Sequence, residues 1–124
     1  MAKHTIFTNS ILTENYKNEI LNKEIIEELK LQKNLGGRTK SNIGGFQSNS
    51  ITNQNITKPI LEKSAKMLFA NYKIKAKKIG MLSLWINENK KGTYNAPHVH
   101  PRCHFSGVYY IKTPVNCGAL TCYD

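Results

Sequence analysis

Apolar residues recur at helical spacing in the first third of the chain, where Tyr16, Ile20, Leu21, Ile25 and Leu29 fall on one stripe between polar positions. The pattern predicts a helix from Glu14 to about Lys33, with Thr13 as its N-cap and Leu35-Gly36-Gly37 as its stop. A short apolar start at Ile6 and Phe7 precedes it. Residues 36–57 are rich in Gly, Ser, Asn and Thr and read as an ordered loop with room for one short strand. Within it, Ser41-Asn42-Ile43-Gly44-Gly45-Phe46-Gln47-Ser48 sets paired glycines beside an aromatic ring, the composition of a backbone held in unusual φ/ψ against packed neighbours. A second helix follows, with Thr57 as cap, Pro59 in the first turn, and Leu61, Ala65, Leu68, Phe69 and Tyr72 along one face.

From residue 74 the period changes. Ile79 to Ile86 is a short apolar run that reads as a strand covered on both faces, Phe105 to Ile111 as a second strand, and Ala119 to Tyr123 as a third. Turns are expected at Asn89 to Gly92 and at Pro114 to Gly118. Helices first and sheet second argue an α+β fold, one domain over residues 1–124 with a helical and loop portion at 1–78 and a β-portion at 79–124. So few strands leave an exposed sheet edge, so the domain is expected to be incomplete.

A length of 124 residues and 14.1 kDa bounds the chain to one domain. No apolar run approaches the roughly 18 residues of a membrane span. The first twenty residues lack the apolar block of a secretory signal, so a cytoplasmic location is expected. Cys103, Cys117 and Cys122 form no C-x-x-C pair and predict neither a disulfide framework nor a four-cysteine zinc site. The formal charge of +10 admits acidic partners. Its lysines are scattered, densest at Lys73, Lys75, Lys77 and Lys78, and lack the arginine and aromatic interleaving of a nucleic-acid surface, which argues against that partner. The accompanying wealth of Ile and Asn is the bias of AT-rich coding DNA and points to a phage or small-genome bacterium.

The chemistry concentrates in Asn95-Ala96-Pro97-His98-Val99-His100-Pro101-Arg102-Cys103-His104. In an extended chain, alternate residues share a face with Cα atoms about 6.5–7 Å apart, so His98 and His100 are placed to bind one ion while Val99 turns into the wall. A pair of imidazoles suits Fe, Zn, Cu or Ni. Pro97 and Pro101 bias the backbone around the pair toward extended geometry and lower the entropy lost in aiming both rings.

Beyond the histidines, Ser41 to Ser48, Trp85-Ile86-Asn87, Gly92, Asn95, His98-Val99-His100-Pro101, Ser106 to Ile111, Pro114, Gly118-Ala119-Leu120 and Tyr123-Asp124 form a series of spaced blocks. Over residues 41–124 they resemble the Fe(II)/2-oxoglutarate-dependent oxygenases of marine phages and bacteria, relatives of the prolyl hydroxylases. The resemblance implies a double-stranded β-helix (jelly-roll) whose first strands follow the N-terminal helices. It further implies Fe(II) at His98 and His100, 2-oxoglutarate near Tyr110 and Asn87, and ascorbate as a possible reductant. Relatives with an H-x-D pattern carry a carboxylate where this chain has His100, and its sole aspartate is Asp124, so the third ligand stays unassigned. The distal histidine and the arginine that binds the far carboxylate of 2-oxoglutarate belong to the second half of that barrel. The chain therefore resembles an N-terminal fragment of a hydroxylase, expected to be inactive alone, and the substrate, whether protein, small metabolite or nucleobase, is unspecified.

Two alternatives remain on the residues themselves. Gly92, five residues and then His98-x-His100 fit the start of a cupin metal motif, although the glutamate expected four or five residues later is His104 or Phe105. A small zinc-binding interaction module would combine His98 and His100 with Cys103 or His104 and close on Cys117 or Cys122.

Overall fold

The computed structural model describes residues 10–123, so Ile6, Phe7 and Asp124 lie outside the described residues. Two helices, α1 (Glu19–Leu35) and α2 (Gln54–Asn71), and four two-residue strands, β1 (Asn42–Ile43), β2 (Phe46–Gln47), β3 (Asn87–Glu88) and β4 (Tyr94–Asn95), make an α+β fold.

Both helices start where an asparagine can cap them. Asn18 stands in extended conformation and its Oδ1 accepts the Leu21 N–H at 3.0 Å, which starts α1 five residues later than a Thr13 cap would. Glu14, expected inside the helix, instead pairs with Lys63 of α2. At the other end Gly36 takes φ 88 and returns its N–H to the Lys33 carbonyl, the left-handed stop expected from the sequence. In α2 the cap is Asn53, whose Oδ1 accepts from the Asn55 N–H, so Thr57 is helical and Pro59 lies in the second turn rather than the first. The buried face of α2 is carried by Ile56 and Ile60, one turn ahead of the expected stripe, and Phe69 is 48% exposed.

The loop after α1 holds more order than one short strand. Residues 41–51 run antiparallel to residues 84–96 as an irregular ribbon. Phe46 and Gln47 face Glu88 and Asn87, whereas Ile43 and Asn42 face Tyr94 and Asn95. Between the two pairings Gly44 and Gly45 oppose Asn89 to Thr93, so the second strand bulges by three residues and closes them in a turn with Thr93 N–H on the Lys90 carbonyl at 3.0 Å. Glycine is required at 45: a Cβ there would lie 2.6–2.7 Å from Asn42 Oδ1, the Glu88 carbonyl and Asn89 Oδ1. Ser48, fully buried, extends the ribbon by donating its N–H to the Ile86 carbonyl and accepting the Ile86 N–H on its hydroxyl.

The core is small. Leu21, Ile25, Ile51 and Ile56 are buried, with Tyr16, Ile60, Leu84, Ile86, Tyr109 and Ile111 packed around them. Leu84 and Ile86 thus bring one face of the ribbon against the helices, and strand alternation turns Trp85 to the other face. Only the end of the expected 79–86 strand joins the ribbon, and Leu82 is 67% exposed.

Residues 105–111 and 119–123, expected as strands, are in no ladder among the described residues. Their sequences carry the alternation: Tyr109 and Ile111 pack inward while Val108 and Tyr110 are 61% and 57% exposed. What they lack is a neighbouring backbone, and a strand exists only as a pair. Among the described residues, the β-order expected over 79–124 is confined to the ribbon with 41–51. No described helix is long and apolar enough to cross a membrane.

Candidate metal site

Pro97 follows Ala96 directly beyond β4, and from there the chain presents His98 and His100. The His98 Nε2 and His100 Nε2 atoms are 3.1 Å apart, with ring centroids at 4.9 Å and planes at 71°. His98 is oriented from behind, since its Nδ1 is 2.8 Å from the Ala96 carbonyl oxygen. A carbonyl can only accept, so Nδ1 carries the proton and the Nε2 lone pair of the neutral ring is left for the front. His100 is held by Trp85, whose ring meets it edge-on at 5.4 Å. Burial, followed by the neighbouring His98, lowers the His100 pKa below the ordinary imidazole value and favours its neutral, ligating form.

Two imidazole nitrogens that each reach a first-row ion at about 2.0–2.1 Å stand roughly 3–3.4 Å apart, so the pair fits a single ion. Among the described residues no group of three His, Cys, Asp or Glu side chains converges. Cys103, Cys117 and Cys122 are free and exposed, and the described structure does not assemble the ligand set of a zinc module.

The other expected positions are elsewhere or open. Val99 is 83% exposed and points to solvent rather than into a wall. Directly after His100 the chain turns at Pro101-Arg102, where Arg102 takes φ 66. Asn87 is exposed on β3 opposite Gln47. Tyr110 faces outward, whereas its neighbour Tyr109 donates its hydroxyl to Asn22 Oδ1 at 2.7 Å and packs on the Tyr16 ring at 5.8 Å. Two shallow clefts among the described residues lie between Tyr16 and α2 and beside Gly44-Gly45, and neither is lined by the histidines.

Sequence reasoning does not find two neighbours of the pair, the Ala96 carbonyl at His98 and the Trp85 ring at His100, nor the buried Asn42 amide that bonds Asn95 of β4. Trp85, Asn42 and Asn95 were visible as block residues, but only the bulged ribbon register brings residues so distant in sequence together.

Compared with known families, residues 83–124 match the model described as "Putative 2OG-Fe(II) oxygenase", which is about one third of the chain and includes both histidines and Trp85. No curated protein and no solved structure matches the chain. The matched stretch is thus similar to part of an oxygenase family that uses Fe(II) and 2-oxoglutarate.

Proposed function

We propose that the chain carries the metal-binding portion of an Fe(II)/2-oxoglutarate-dependent oxygenase, with His98 and His100 as iron ligands. The observation that carries this reading is the 3.1 Å approach of the two Nε2 atoms inside the matched stretch. The remaining ligand and the anchor for the far carboxylate of 2-oxoglutarate are assigned to residues outside those described, in the second half of a jelly-roll that the strand-like segments 105–111 and 119–123 would enter. Bound there, Fe(II) would supply the redox chemistry that couples oxidative decarboxylation of 2-oxoglutarate by O₂ to hydroxylation of a substrate C–H bond, giving succinate and carbon dioxide.

The chain's own residues do the rest. Ala96 fixes the His98 proton on Nδ1, and Trp85 shields one side of His100 from water. Residues 63–123 hold nine lysines and Arg102 against Glu88, a cationic half suited to a dianionic cosubstrate. Asn87 and Tyr110 are proposed to face that cosubstrate once the rest of the barrel is in place, with ascorbate keeping the iron reduced.

Anaerobic equilibrium dialysis with Fe(II) tests the ligand assignment. With Fe(II) in excess the wild-type chain should take up about one equivalent, weakly held, and His98→Ala and His100→Ala should each lose it; equal uptake by the variant lacking both histidines would contradict the reading. Supplied with Fe(II), ascorbate and 2-oxoglutarate, the 124-residue chain should release little succinate, because two imidazoles alone hold the ion weakly.

A further inference from the structure

Asn42 is 5% exposed in a two-residue strand, and its side-chain NH2 group is spent on two other asparagines. Its Nδ2 donates to Asn89 Oδ1 at 2.8 Å and to Asn95 Oδ1 at 2.9 Å, which gathers both ends of the bulged segment 89–95 onto one side chain. Asn42 Oδ1 is buried without a partner and lies beside Gly45, where a Cβ would come within 2.6 Å of it. The neighbouring Ser41 carbonyl accepts the Ala96 N–H at 2.8 Å, and the Ala96 carbonyl in turn meets His98 Nδ1 at 2.8 Å. One continuous chain of contacts therefore runs from the 41–48 motif to the face of the histidine pair: Ser41 to Ala96, Ala96 to His98, His98 to His100.

We infer that Asn42 is a positioning residue for His98. By pinning Asn95 next to Ala96, it holds the Ala96 carbonyl where it selects the Nδ1-protonated tautomer and aims Nε2 at His100. The effect on ring orientation stands apart from the proposed metal site; only the expected loss of metal affinity rests on that reading. Outer groups that orient a ligating histidine are ordinarily worth about 10–100-fold in metal affinity.

The test is the tautomer of His98, read from long-range proton–nitrogen correlations of its ring at about pH 8, above the ordinary imidazole range, with Zn(II) affinity measured in parallel. In the wild type His98 should be Nδ1-protonated. Asn42→Ala and Asn95→Ala should mix the tautomers and weaken Zn(II) binding about tenfold or more. Asn95→Asp, which keeps an acceptor for the Asn42 amide, should restore the Nδ1-protonated form. Asn95 is exposed, so its substitutions report even if Asn42→Ala fails to fold. An unchanged tautomer in folded Asn95→Ala overturns the inference whether or not Zn(II) binds. A shifted tautomer in a chain that never bound Zn(II) upholds it and removes the metal reading instead.

Discussion

Residues 18–96 and residues 97–123 both carry strand-like apolar runs, yet only the first stretch finds pairing partners for them. It has capped helices, a ribbon in which residues 41–51 pair with 84–96, and the four buried core residues. The second stretch makes one backbone turn bond, Cys117 N–H to the Pro114 carbonyl, among the described residues, and it exposes Val99, Phe105, Val108, Tyr110, Val115, Leu120 and Tyr123. The difference teaches that alternation is necessary for a strand and a paired backbone is what completes it. Tyr109 and Ile111 are the exceptions in the second stretch, packing on the core of the first and thereby tethering the segment beyond the histidines.

The largest break in this comparison should come from the core. Ile56→Ala removes a fully buried side chain and should cost about 2–5 kcal/mol, while Leu120→Ala, at 63% exposure, should stay within about 0.5 kcal/mol. Chemical denaturation of the two variants side by side measures the contrast. A paired glycine test comes next. Gly45→Ala drives a methyl onto three oxygens and should destabilise by about 1–3 kcal/mol, whereas a Cβ at Gly107 meets nothing within 4 Å and Gly107→Ala should leave the melting temperature nearly unchanged.

Smaller still is the tether. Tyr109→Phe deletes the 2.7 Å bond to Asn22 and should cost about 0.5–1.5 kcal/mol. Burial, then Tyr16, raises the Tyr109 pKa above the ordinary tyrosine value. An unfolded chain therefore ionises first as the pH rises, so the hydroxyl's contribution is complete below the ordinary value and is lost as the pH climbs through the folded one. Wild-type stability should fall faster than that of Tyr109→Phe in that alkaline window, and parallel curves would show that the tether is absent. Amide exchange sharpens the same contrast: the Ser48, Ile51 and Ala96 amides should be protected, and those of 105–111 should exchange rapidly.

Much of the first region is legible in the sequence because its signals are local. The apolar period gave both helices, Gly36 the stop of α1, and Pro114 to Gly118 a turn that Asn116 completes at φ 63. The helix starts are less legible because Thr13 and Thr57 compete as caps with Asn18 and Asn53, and the asparagine caps stand just ahead of Leu21 and Ile56, which enter the core. The ribbon was not legible, since its register depends on a three-residue bulge across some forty residues of chain. For the site, the spacing of His98 and His100 points to the residues that meet, and nothing local announces the Trp85 ring beside His100 or the bond from Asn42 to Asn95.

The central claim is that His98 and His100 act together on one ion. Titrating the chain with Zn(II), a diamagnetic stand-in for Fe(II), while following the ring signals of His98, His100 and His104 tests it most directly. The account predicts that the His98 and His100 signals move together and stop at one equivalent, leaving His104 in place, and that His98→Ala abolishes the His100 response. Movement of His104 alone, or saturation of the ion with the His98 and His100 signals unmoved, would contradict it.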